Sequence, residues 1–111
     1  MPHYADTSQY TQAELDLWEL LSAHQNEPFY TAKGLMFTYA IRGNELFVDR
    51  KEKSITRATV NQAYRKGREL TEQEGVVTGP KRLGTFGASY LYPVFAALEL
   101  IKVPEKAARQ G

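Results

Sequence analysis

Two residues, Gly43 and Asn44, constrain the fold of this chain more than any other pair. They sit between two β-prone runs, and a two-residue Gly-Asn loop tolerates the positive φ that primed hairpin turns require. A loop this short sets the register by counting. Arg42 faces Glu45, Ile41 faces Leu46, Tyr39 faces Val48 and Phe37 faces Arg50, so the spacing predicts a hairpin over residues 35–48. Side chains alternate along a strand, which puts Phe37, Tyr39, Ile41, Leu46 and Val48 on one apolar face. The other face carries Met36, Thr38, Ala40, Phe47 and Asp49, a mixed set suited either to partial cover by a helix or to a partner.

Helical patterns flank the hairpin. Thr11 followed by Glu14 is a capping-box pair, in which each side chain satisfies an orphan backbone donor at a helix start. A first helix is expected from there, with Leu17, Trp18 and Leu21 inward, Leu15 and Leu20 widening the stripe, His24 at its end and Pro28 beyond. Thr56 caps a second helix, flanked by Ile55 and Val60 in the positions of a hydrophobic staple. Val60, Ala63, Tyr64, Gly67 and Leu70 recur at helical spacing, the small Ala63 and Gly67 predict close packing, and Gly75 is placed to end the helix. Val76-Val77-Thr78, the Gly79-Pro80 turn and residues 83–86 suggest a second, short, wing-like hairpin. A last helix is expected over 93–101, with Pro93 in its first turn and Val94, Phe95, Leu98 and Ile101 inward. The expected fold is therefore a single small α+β domain over 11–103, of about three helices and one or two hairpins, with an arm over 1–10 and a tail over 104–111.

With 111 residues, 42% of them hydrophobic, the chain can bury one core and not two. The absence of cysteine excludes disulfides, thiolate metal sites and a cysteine nucleophile, and allows a reducing compartment. No basic segment leads into an apolar run at the start, and no apolar stretch approaches the roughly 20 residues of a membrane span. A cytoplasmic protein with no membrane contact is expected.

Chemistry is sparse. His3 and His24 belong to no ligand-spaced cluster, so no metal site is expected. The Gly-rich run over 79–87 contains a Lys and a Thr but not the spacing of a phosphate loop, so no cofactor is assigned. No spacing organises Ser, His and Asp as a nucleophilic triad, and no catalytic residue is assigned: the chain reads as a binding module rather than an enzyme. Tyr90 and Tyr92, near Phe86 and Phe95, read as core before they read as a platform for bases.

A net charge of +1 at first argues against a polyanion partner, but it is an average over unlike segments. Residues 1–49 hold two basic and seven acidic side chains, a net −5. Residues 50–68 hold seven basic residues and only Glu52 against them, a net +6, and residues 69–111 balance at five each. On the second helix Arg57, Asn61, Arg65 and Arg68 form a stripe at i, i+4, i+8 and i+11, read as exposed and roughly opposite Val60, Ala63 and Gly67. Arginine and amide side chains suit guanine edges, phosphates and adenine edges, and they equally suit an ordinary solvated helix face.

The run Thr56-Arg57-Ala58-Thr59-Val60-Asn61-Gln62-Ala63-Tyr64 resembles the recognition-helix segment of GntR-type winged-helix regulators. Glu74-Gly75-Val76-Val77 is similar to that family's approach to its wing, and Gly84-Thr85-Phe86 to the end of the wing. The resemblance covers residues 56–86 and implies that Arg57, Asn61 and Arg65 face the DNA groove while Lys81 and Arg82 contact phosphate. A hairpin stands where that family has a scaffold helix. Either the hairpin is inserted into a helix-turn-helix core made with the first helix, or the likeness is local to a well-capped helix. The expected partner is duplex DNA, held through the second helix and the basic loop before it, with Arg50, Lys51, Lys53, Arg57, Asn61, Arg65, Arg68, Lys81 and Arg82 as contacts. The competing expectation is a protein-interaction module in which the +6 segment docks on an acidic protein or on the −5 half of a second copy.

Overall fold

The hairpin forms in the counted register. A computed structural model, which describes residues 9–104, pairs β3 (Tyr39–Arg42) with β4 (Glu45–Val48) through Tyr39 with Val48, Ile41 with Leu46 and Arg42 with Glu45. At the turn Gly43 has φ 60° while Asn44 keeps a negative φ, the pattern of a type II′ turn, which asks for glycine at its first central position. The counted pairing stops at Thr38. Its N–H donates to the Asp49 carboxylate at 3.1 Å, and Phe37 pairs with Phe29 instead of Arg50. This second pairing joins two strands absent from the expected layout, β1 (Phe29–Tyr30) and β2 (Met36–Phe37), into a small antiparallel sheet.

A third strand, β5 (Ile55–Thr56), pairs with β4 so that the main sheet has the order β3-β4-β5, and the chain passes from β5 directly into α2 (Arg57–Glu74). Thr56 closes the strand and caps the helix, its hydroxyl accepting from the Thr59 N–H at 3.2 Å. The Arg57 N–H donates to the Asn44 carbonyl at 2.8 Å, so the start of α2 is tied to the hairpin turn. The first helix, α1 (Gln12–Ala23), carries the full capping box of Thr11 and Glu14, and His24 stands at its C-terminal cap.

The hairpin's apolar face is buried at Phe37, Tyr39, Leu46 and Val48, with Ile41 packed at its margin. Against it lie Leu17, Trp18 and Leu21 of α1, Val60 and Ala63 of α2, and Phe95 of the last helix, in one continuous core. The Tyr39 hydroxyl, buried there, donates to the Leu21 carbonyl at 2.6 Å. Burial, helped by the charge of Glu27, pushes this phenol well above its ordinary range, so it remains a donor. Removing that hydroxyl in Tyr39→Phe strips a buried carbonyl of its partner and should lower unfolding stability by about 1–2 kcal/mol in urea titrations.

Two expectations about the C-terminal half are revised. No wing-like hairpin forms over 76–86: residues Pro80–Leu83 make one turn of 3-10 helix. Val77, fully buried, donates its N–H to the Lys102 carbonyl at 2.7 Å, while its own carbonyl accepts from Tyr92 at 2.7 Å. Both of its backbone groups are thus satisfied from the last helix and the segment after it, leaving nothing to pair with 83–86. The last helix, α3, spans Ala88–Ala97 rather than 93–101, and Pro93 lies inside it. The carbonyl that Pro93 cannot pair belongs to Ser89, four residues earlier and exposed, so the proline sits where solvent can satisfy it. Ile101, expected on the helix, follows it and packs on Gly67, where an added Cβ would meet the Ile101 Cγ2 at 2.7 Å. The small-residue stripe of α2 thus has the close packing that its composition suggests. The expected arm and tail fall mostly outside the described residues.

Candidate nucleic-acid interface

The arginine and amide stripe of α2 is divided: Asn61 is buried and Arg57 half-buried, while Arg65 and Arg68 are exposed. At about 100° per residue, Asn61 lies one step around the helix from Val60, and the stripe flanks the buried face instead of opposing it. The structure fills that flank with α1. Asn61 is 3% exposed, which keeps it from any base edge. The Arg57 guanidinium lies 4.2 Å from the Tyr10 ring centroid and 5.0 Å from that of Trp18, and it donates to the Asn44 Oδ1 at 3.1 Å. Arg65 reaches Glu14 of α1 at 3.4 Å, and Arg68 lies over the Tyr64 ring at 5.6 Å. The groove-facing placement implied for Asn61 is therefore corrected, and Arg57 is half-buried against two rings, whereas Arg65 stays exposed. The acidic first segment meets the basic one through Glu14.

These contacts give Arg57 a structural task. Its stacking on two rings and its charged hydrogen bond to the hairpin turn predict that Arg57→Ala costs about 1–3 kcal/mol in thermal or urea unfolding. At matched concentrations of folded protein, nucleic-acid affinity should be unchanged. An unchanged melting temperature with lost binding would return the interface to this stripe.

Of the other expected contacts, Arg82 is committed to Glu74 through two hydrogen bonds of 2.8 and 3.1 Å. The same pairing holds the Glu74 carboxyl below its usual range. Lys81 is exposed on the 3-10 turn, where the expected wing would have been.

Of the remaining three, Lys51 and Lys53 come together at an aromatic ring whose residue type argues for the core, and Arg50 precedes them in the same loop. Phe86 is 46% exposed. The Lys51 ammonium lies 4.1 Å from its ring centroid and the Lys53 ammonium 5.7 Å from it. Lys51 also lies 5.9 Å from the Tyr90 ring, and the Arg50 guanidinium reaches the Met36 carbonyl at 3.5 Å. Among the described residues none of these three cations forms an ion pair, and the Asp49 carboxylate beside them accepts from the Thr38 N–H. Exposed Glu52 is the one acidic side chain within the basic run.

The cluster stands on a firm base. Tyr90, half-buried, packs edge-on against Phe37 at 5.0 Å, and Phe37 continues through Phe29 to Tyr39, placing the patch at the end of a row of core aromatics. Tyr92 and Phe95 are buried, in keeping with their expected place in the core. Phe86 escapes burial because it occupies a turn between Gly84 and Gly87, and that placement was its one signal in the sequence.

Among the described residues no group of three or more His, Asp or Glu side chains is placed to hold a metal ion, and no helix is long and apolar enough to cross a membrane. No family model matches the chain, and neither a curated protein nor a solved structure is found to be similar to it.

Proposed function

We propose that this protein is a small nucleic-acid-binding domain whose contact surface is the loop carrying Arg50, Lys51 and Lys53 together with Phe86. The observation that carries the reading is the convergence of two ammonium groups, without ion-pair partners among the described residues, on one half-exposed ring, with Arg50 adjacent in the same loop. Unpaired cations on a rigid base are the groups that phosphates recruit, with release of counterions as the driving force. In this reading the fold presents a loop and a turn to the nucleic acid, not a recognition helix, and α2 serves as scaffold. Fluorescence anisotropy with labelled DNA at low salt tests it. Saturable binding that weakens as salt rises and falls on removal of Lys51 and Lys53 supports the reading, and no binding at low salt refutes it.

A second reading has its own observation. Tyr30, Leu35 and Met36 leave apolar surface exposed in the small β1-β2 sheet and its connection, which favours a protein partner. Light scattering across salt and concentration separates the self-association form of this reading, because a monomer under all conditions removes it.

A further inference from the structure

The geometry points to an unpaired base as what the Phe86 ring receives, which makes single-stranded nucleic acid the ligand of this face. The inference rests on the nucleic-acid reading above and deepens it. In a duplex, base faces are stacked on one another and only their edges and the phosphates are offered to a protein, so an exposed ring gains little from duplex contact. In a single strand each base has an open face, and a ring flanked by cations can take the base while the cations take the phosphates on either side.

The cluster has the parts for this division of labour. Phe86 supplies a half-exposed ring at a turn, and Lys51 and Lys53 approach that ring from a different segment of the chain. Each lysine has a flexible stem, so its ammonium can exchange the ring for a phosphate oxygen without moving the backbone. Tyr90 shares Lys51 with Phe86 and packs edge-on against Phe37, giving the site a second aromatic surface in the first turn of α3. The same end of α3 starts at Gly87 with no side-chain cap, so its partial positive charge adds to that of the lysines. The duplex-reading alternative loses its base-reading amide: Asn61 is buried, and Arg57 beside it lies over the Tyr10 and Trp18 rings.

Anisotropy of the full chain with a short labelled oligothymidylate, and with a duplex of equal length, tests the inference at low salt. The single strand is expected to bind more tightly. Phe86→Ala should weaken single-strand binding by about tenfold and lower the ratio of single-strand to duplex affinity, and Phe86→Trp should restore both. In Phe86→Trp the new indole, set against the fixed signal of Trp18, should be quenched as oligothymidylate is added. Equal single-strand affinity of Phe86→Ala and the wild type overturns the inference while leaving the nucleic-acid reading standing, as does tighter binding of the duplex. Failure of the wild type to bind either probe overturns both. Displacement of the oligothymidylate by polyglutamate at equal charge concentration would show a generic anion surface and would also overturn it.

Discussion

Gly87→Val should be the most damaging single substitution at any turn of this domain. Gly87 has φ 77° and ψ 8°, a left-handed conformation that a β-branched residue adopts only at a cost of roughly 1–2 kcal/mol or more. A Cβ there would also overlap the Ile55 Cδ1 and stand 2.8 Å from the Ile55 Cγ1, and Ile55 is fully buried in β5, so it can yield only by displacing its core neighbours. Overpacking of a filled core adds roughly 1–3 kcal/mol. The sum, roughly 2–5 kcal/mol, is a large share of a small domain's stability and should lower the melting temperature by roughly 8–25 °C in calorimetry. Gly79→Val is the matched control. Gly79 is extended at φ −178°, a Cβ there meets nothing within 4 Å, and stability should change by less than about 0.5 kcal/mol. Equal melting temperatures for the two variants would mean that the turn before α3 does not pack on β5 as described.

The second large effect is functional. Reversing the three cations together, Arg50→Glu, Lys51→Glu and Lys53→Glu, replaces phosphate attraction by repulsion at one site without touching a buried residue. Nucleic-acid affinity at low salt should fall on the order of 100-fold. The unfolding midpoint should stay within about 1 kcal/mol of the wild type, because none of the three side chains is buried or ion-paired among the described residues and the loss is confined to the contacts of Lys51 and Lys53 with the Phe86 and Tyr90 rings. A plot of log affinity against log salt should lose about three units of slope, one for each phosphate contact removed. The reversal of Arg65 and Arg68 in place of these three should cost far less, since Arg65 is already opposed by Glu14 and Arg68 lies over Tyr64. If the α2 pair carries the larger loss, the binding surface is the helix and not the loop.

The fold was legible wherever local chemistry is decisive. The Gly43-Asn44 loop specified its hairpin register to the residue, and Thr11-Glu14 and Thr56 marked two helix starts because caps are local hydrogen bonds. What stayed hidden depends on contacts distant in sequence. Val77 looked ready to pair with 83–86 because a β-prone run names no partner, and its partner turned out to be Lys102. Pro93 suggested a helix start because that is its cheapest position, yet an exposed Ser89 carbonyl makes an interior position tolerable as well.

The candidate site shows the same division. Charge segregation correctly singled out residues 50–68 as the basic part of the chain, but it could not say which of those charges remain unpaired. Arg65 meets Glu14 across 51 residues of sequence, and Arg57 is taken up by Tyr10 and Trp18. A helix stripe about 100° from the buried face is at the boundary between solvent and a neighbouring helix, and only the packing of α1 decides the matter. Phe86 was missed for the opposite reason. Its residue type argues for burial, while the glycine turn that holds it leaves it half outside.

The central claim is spatial, so the most direct test locates the contact. Amide chemical shifts of the uniformly labelled protein, followed by NMR as oligothymidylate is added at low salt, report which residues meet the ligand. The account predicts that the largest changes cluster at Arg50, Lys51, Lys53, Phe86, Gly87 and Tyr90, with the exposed face of α2 at Gln62, Lys66 and Glu69 unmoved. Changes concentrated on that face of α2, or on Tyr30, Leu35 and Met36 with the loop silent, would contradict it.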